Sequence, residues 1–171
     1  MALFCRYLNR FVVARRYRRA LAAFVSAWLG VGAANVQATI LDDAGLTELR
    51  AILGDSAPSG SGVPISMVEA PQGTSQEIND GLGRYFPDTA LAEFATVTFH
   101  DGTGKQSNGV STHATSQART IASADVGIAP GLTDVTVYDA NYWLTNILKY
   151  RTSAAPATQN FRVQNHSWIG S

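Results

Sequence analysis

The residue in this chain best suited to moving a proton is His113, in the stretch Ser111-Thr112-His113-Ala114-Thr115-Ser116-Gln117-Ala118. An imidazole titrates near neutrality, so it can take up and return a proton within one reaction cycle. Its neighbours predict a place in the first turn of a helix. Ser111 or Thr112 can act as N-cap by accepting an orphan backbone N–H. Ala114, Ala118 and Ile121 then recur at i, i+4 and i+7, an apolar stripe that suits close packing on a flat surface. Taken alone, the same residue also fits a solvent-facing histidine in a polar first turn.

A second group with chemical potential is Glu69. Val63 to Val68 reads as a short buried strand, with Pro64 tolerable near its start, and it ends in Glu69-Ala70-Pro71. Ligand and catalytic groups of open α/β sheets gather at the carboxyl ends of strands. A loop glutamate facing water is the plainer alternative. His100 and Asp101 are adjacent and follow the strand Thr96–Phe99, in a turn over His100–Gly104. Neighbouring strand residues point to opposite faces, so the two are not expected to act together. The histidines show no metal-ligand spacing and the single cysteine, Cys5, is remote, so neither a metal site nor a cofactor is expected.

The elements that position these groups are legible as an alternating pattern. A helix is expected over 42–53, with Leu46, Leu49 and Leu53 on one face and Asp42 or Asp43 as cap. Ala57 to Gly62 reads as a flexible linker. Further strands are expected at Val135–Tyr138 and Phe161–Asn165. Between these two strands Asn141 caps a helix running to Tyr150, with Trp143, Leu144, Ile147 and Leu148 inward. Strands alternating with helices predict an α/β fold. The expected architecture is a mostly parallel sheet with helices on both faces and right-handed crossovers.

Composition divides the chain into a leader and a body. Six of its 13 Lys and Arg residues lie within the first nineteen positions, and all 13 acids lie after residue 41. An apolar, small-residue run follows over 20–36 and ends at Val36-Gln37-Ala38, the pattern of a signal peptide over 1–38. A permanent anchor is the alternative for a run of this length. The rest carries 7 basic and 13 acidic groups, a net charge of −6 that argues against nucleic-acid binding. Residues 39–62 form a leading helix and linker, and 63–171 the main domain.

Within 63–171 the order of pieces resembles the amino-terminal half of a subtilisin-like serine protease. The pieces are Met67-Val68-Glu69 ending a strand, the small-residue helix opening at His113, and Ile128-Ala129-Pro130-Gly131 before a strand. Arg162-Val163-Gln164-Asn165 then leads into His166-Ser167-Trp168-Ile169-Gly170. In that family the first strand ends in a catalytic Asp, and the catalytic His opens a helix in an HGTHVAG-like motif. The resemblance implies a secreted or periplasmic endopeptidase with His113 as general acid–base and Glu69 as its orienting carboxylate. Asp101 is the fallback acid. Ser167, Trp168, Ile169 and Gly170 would pair with an extended peptide or protein substrate, core packing being the alternative for Trp168.

Three departures stand out. Ser111-Thr112 replaces the leading His-Gly, and Glu69 replaces Asp. The nucleophile motif Gly-Thr-Ser-x-Ala/Ser-x-Pro is absent from the 171 residues. The expectation is therefore a truncated endopeptidase chain carrying the acid–base half of a triad. The alternative is an inactive secreted fragment or a peptide-binding module.

Overall fold

The computed structural model describes residues 40–168. The predicted leader over 1–38, and Ile169 and Gly170 of the predicted substrate strand, lie outside the described residues. Four strands form one sheet: β1 (Ile65–Glu69), β2 (Thr98–Asp101), β3 (Asp134–Asp139) and β4 (Val163–His166). Their order is β2-β3-β1-β4, and every pairing is parallel. The chain thus has the α/β fold that alternation of strand and helix signals implies.

β1 is flanked on both sides and buried along its whole length, whereas β4 has one outer edge and is largely exposed. Side chains alternate between faces along a strand. Ile65, Met67, Val135 and Val137 point to one face, where they meet Tyr85, Phe94, Ala118, Ile121, Ala122 and Leu132. Val68 and Tyr138 point to the other and pack with Ala140, Trp143, Ile147, Phe161 and Trp168. Both faces are therefore covered, as a parallel sheet requires.

The helix on the first face is Thr112–Ala122. It is the fourth α-helix in chain order, after α1 (Ile40–Asp43), α2 (Leu46–Leu53) and α3 (Ser75–Asn79), and is called α4. Ser111 is its N-cap, its Oγ accepting from Ala114 N. Ala114, Ala118 and Ala122 are almost wholly buried and Ile121 nearly so. Three alanines and Ile121 thus make the face that the helix buries against the sheet. At the far end the backbone N–H groups of Gly127, Ile128 and Ala129 satisfy the carbonyls of Ser123, Thr120 and Ile121. α4 thus ends at Ser123 without a glycine cap.

The crossovers differ from the expected uniform right hand. From β1 to β2 the chain moves two places toward one edge, and Tyr85 and Phe94 of that connection lie on the α4 face. From β2 to β3 it moves back the other way, yet α4 lies on that same face. From β3 to β4 it continues in this second direction, but Trp143 and Phe161 cover the opposite face. The connection through α4 thus has the hand opposite to the other two. Right-handed crossovers are the strong rule, so α4 carries the exception.

Three local expectations change. The helix expected over 42–53 breaks at Ala44 and Gly45, where Gly45 adopts φ 71°. It is only partly covered, with Ile52 and Leu53 exposed. The Ala57–Gly62 linker is fastened rather than loose, because Gly131 N donates to Ser59 O. The helix expected from Asn141 is capped two residues earlier, by Asp139 Oδ1 accepting from Tyr142 N. It starts as α5 (Ala140–Tyr142) and widens into a π-helical stretch, Trp143–Ile147. The wider turn shifts the inward stripe, so Leu148 is exposed while Trp143 and Ile147 still pack inward.

The buried stripe of α4 sets an expected outcome. Ala118→Leu forces a larger side chain into a fully buried site against the sheet. It should destabilise the fold by about 1–3 kcal/mol, read as a lower urea midpoint. An unchanged midpoint would show that α4 has slack over the sheet.

Candidate functional site

Glu69 is the last residue of β1 and shares the face of Met67, so its side chain rises toward α4. It has no solvent exposure. His113, in the first turn of α4, reaches back over the strand end, and its Nδ1 lies 2.8 Å from Glu69 Oε2. A carboxylate can only accept, so with Glu69 ionised the proton of a neutral His113 sits on Nδ1 and the lone pair on Nε2. No hydrogen bond engages Nε2 among the described residues. The His113 side chain keeps 41% of its surface exposed. One end of the imidazole is thus held in the protein interior while the ring remains open to an incoming group.

The second oxygen of Glu69, Oε1, is buried with no hydrogen-bond partner. Burial raises the Glu69 pKa above the usual carboxylate value, while the hydrogen bond and charge of His113 pull it down. A buried carboxylate with one empty oxygen is costly to ionise, and His113 is the group that makes ionisation tolerable.

The strand end and the helix start are joined a second time. Gln72, three residues past Glu69, turns its Oε1 onto the N-terminus of α4. It accepts from Ser111 Oγ at 3.0 Å, Thr112 N at 3.1 Å and Thr112 Oγ1 at 3.4 Å. One turn further along α4, Gln117 Oε1 accepts from Ser167 Oγ, which in turn accepts from Asn165 Nδ2. Ser167, at the end of β4, is thereby tied to the helix that carries His113. Trp168 packs instead against the second core, with Val68, Tyr138 and Ala140. Nothing in the sequence marks Gln72 or Gln117, because each bond joins residues far apart in the chain.

Asp101 does not approach His113. Its carboxylate is taken by Tyr85 OH at 2.6 Å, Thr103 N at 2.8 Å and Thr103 Oγ1 at 2.6 Å. Burial and this carboxylate push the Tyr85 hydroxyl pKa up, which keeps it a donor. His100 points the other way and bonds Asp134 Oδ1 at 2.9 Å, so the adjacent pair works on opposite faces. His100 belongs to β2 itself rather than to the expected turn. His166 stands edge-on to Trp143 at 4.6 Å, and burial lowers its pKa. Among the described residues no group of three His, Cys, Asp or Glu could hold a metal ion. No helix among them is long and apolar enough to cross a membrane.

No protein-family model, no curated protein and no solved structure matches this chain.

The buried carboxyl carries a pH signature. In the window between the usual carboxylate pKa and the raised Glu69 value, the folded chain holds a proton that the unfolded chain has released. Stability therefore falls as pH climbs through that window. Glu69→Gln, neutral and of similar size, should flatten this fall. Urea midpoints of both proteins across a pH series check it, and parallel profiles would refute it.

Proposed function

We propose that this chain supplies the acid–base half of a subtilisin-like serine endopeptidase. The observation that carries this reading is the Glu69–His113 pair, buried at its acid end and open at its imidazole. It stands at the carboxyl edge of a parallel sheet, where open α/β folds place their chemistry. Above the titration of Glu69, its carboxylate holds His113 as the Nδ1–H tautomer. Nε2 then takes the proton of an attacking hydroxyl as that oxygen bonds to the peptide carbonyl carbon. The same nitrogen returns the proton to the leaving amine as the C–N bond breaks. Glu69 stabilises the imidazolium that exists between the two transfers.

The attacking oxygen lies outside the described residues. Gly73-Thr74-Ser75 matches three positions of the family's nucleophile motif, but Glu77 and Asn79 stand where it has Ala/Ser and Pro. Glu77 instead closes a capping box with Thr74. No hydroxyl of Ser75, Ser116 or Ser167 is bonded to His113. In this reading Ser167 stands beside the substrate backbone, aligned through Gln117. The basic leader and its apolar run direct the chain to export, with cleavage after Ala38. Amino-terminal sequencing of the exported protein should then begin at Thr39; a start at Met1 would refute the cleavage.

The test of the chemistry uses the protein as isolated from its source with any chain that continues past Ser171. It should hydrolyse an unfolded protein substrate, and a fluorophosphonate should block it. His113→Ala should lower kcat about 10³-fold or more, with KM little changed. Full turnover in His113→Ala would remove His113 from the reaction.

A second reading, a peptide-binding module without turnover, is favoured by the outer edge of β4, which pairs with no other strand among the described residues. Beside that edge lies an apolar groove of about 350 Å³ lined by Val63, Ile65, Ile128, Leu132 and Val163. An extended peptide can add to such an edge. Peptide binding that survives His113→Ala, with no cleavage by the unaltered protein, would select this reading.

A further inference from the structure

We infer that Gln72 is a positioning residue that sets the geometry of the Glu69–His113 pair. The inference rests on the acid–base role given to that pair. Glu69 and His113 come from elements separated by a long stretch of chain, so their 2.8 Å contact requires β1 and α4 to be held at a fixed offset. The apolar stripe of α4 fixes how close the helix lies to the sheet. A stripe made mostly of alanines fixes poorly how far it slides along its own axis, because each methyl offers little relief to interlock.

Gln72 supplies the missing restraint. Its backbone is pinned, since Gln72 N donates to Arg84 O at 2.8 Å and Arg84 N donates to Gln72 O at 2.9 Å. Only Ala70 and Pro71 separate it from Glu69, and Pro71 stiffens that link. Its side-chain carbonyl then accepts from Ser111 Oγ, Thr112 N and Thr112 Oγ1. Thr112 N is an N–H of the first turn that no helical carbonyl can satisfy. Ser111 is itself the N-cap, bonded to Ala114 N. One oxygen thus grips the start of α4 from the loop that leaves Glu69, next to the residue that carries the imidazole. A slide of the helix along its axis stretches these bonds together with the His113–Glu69 contact.

The test reads the imidazole directly in the full chain. With Glu69 ionised and the ring neutral, nitrogen NMR of His113 should show the Nδ1–H tautomer and a low-field Nδ1 proton. Gln72→Ala should lose that proton signal and bring the two ring-nitrogen shifts together, as in a freely exchanging imidazole. Gln72→Glu keeps an accepting oxygen at this position and should restore the signal. Thr112→Pro deletes the N–H and hydroxyl that Gln72 receives, while proline suits the first helical position. It should weaken the signal in the same direction, and it decides the question if Gln72→Ala does not fold. A purely structural glutamine would lower the melting temperature and leave the tautomer intact. A folded Gln72→Ala or Thr112→Pro protein with the unaltered low-field signal overturns the inference. Absence of the signal from the unsubstituted protein overturns the acid–base reading instead.

Discussion

The hydrogen bond between Glu69 and His113 depends on a carboxylate placed where water cannot reach it. Glu69 ends the central strand, and the same burial that makes β1 the spine of the sheet strips its carboxyl of solvent. Stripping an acid of water costs of the order of several kcal/mol unless a partner answers it. Only Oε2 is answered, and by His113. The rest of the site follows from that debt: the imidazole must come to the strand end, α4 must bring it there, and the loop after β1 must hold α4 in place. Exposure of the other ring nitrogen is then a matter of geometry, because a ring anchored at Nδ1 presents Nε2 on its far side.

The α4 helix meets this demand through what it lacks. A helix with leucines along its inner stripe would stand higher over the sheet and carry its first turn away from β1. Ala114, Ala118 and Ala122 are almost wholly buried and hold no such bulk. The small stripe gives up part of the burial that a larger one would supply, and other parts of the face compensate. Phe94 and Phe99 meet edge to face at 5.2 Å beside the helix, and Glu93 grips Arg119 through two oxygens.

Much of this was legible from residue order. The four strands, the buried stripe of α4, the serine cap and the acid at the end of β1 all follow from local pattern and period. The opposed directions of His100 and Asp101 follow from strand alternation alone. Features that depend on distant partners were not legible. Gln72 and Gln117 look like ordinary surface amides until α4 and β4 are in place. The hand of the α4 crossover is a property of three connections taken together. The π-helical widening after Tyr142 came from no local signal, and it displaced Leu148 from the face that a regular helix would have given it. Asp139, rather than Asn141, caps that segment, and β3 runs one residue past its apolar pattern at that end.

The strand order also governs the sequence of events by which the chain assembles. β1 is the first strand to emerge but does not border β2, the strand that follows it in the chain; its hydrogen-bonded partners are β3 and β4. Ile65 waits for Val135 and then for Val163, so both pairings close long loops before they return any stability. Such non-local pairing slows folding. Until β3 arrives, the strand that bears Glu69 has no ladder to lie in and the carboxyl remains hydrated. The imidazole is then unoriented. A nascent chain therefore carries Glu69 and His113 long before it carries their contact, which couples that contact to completion of the sheet.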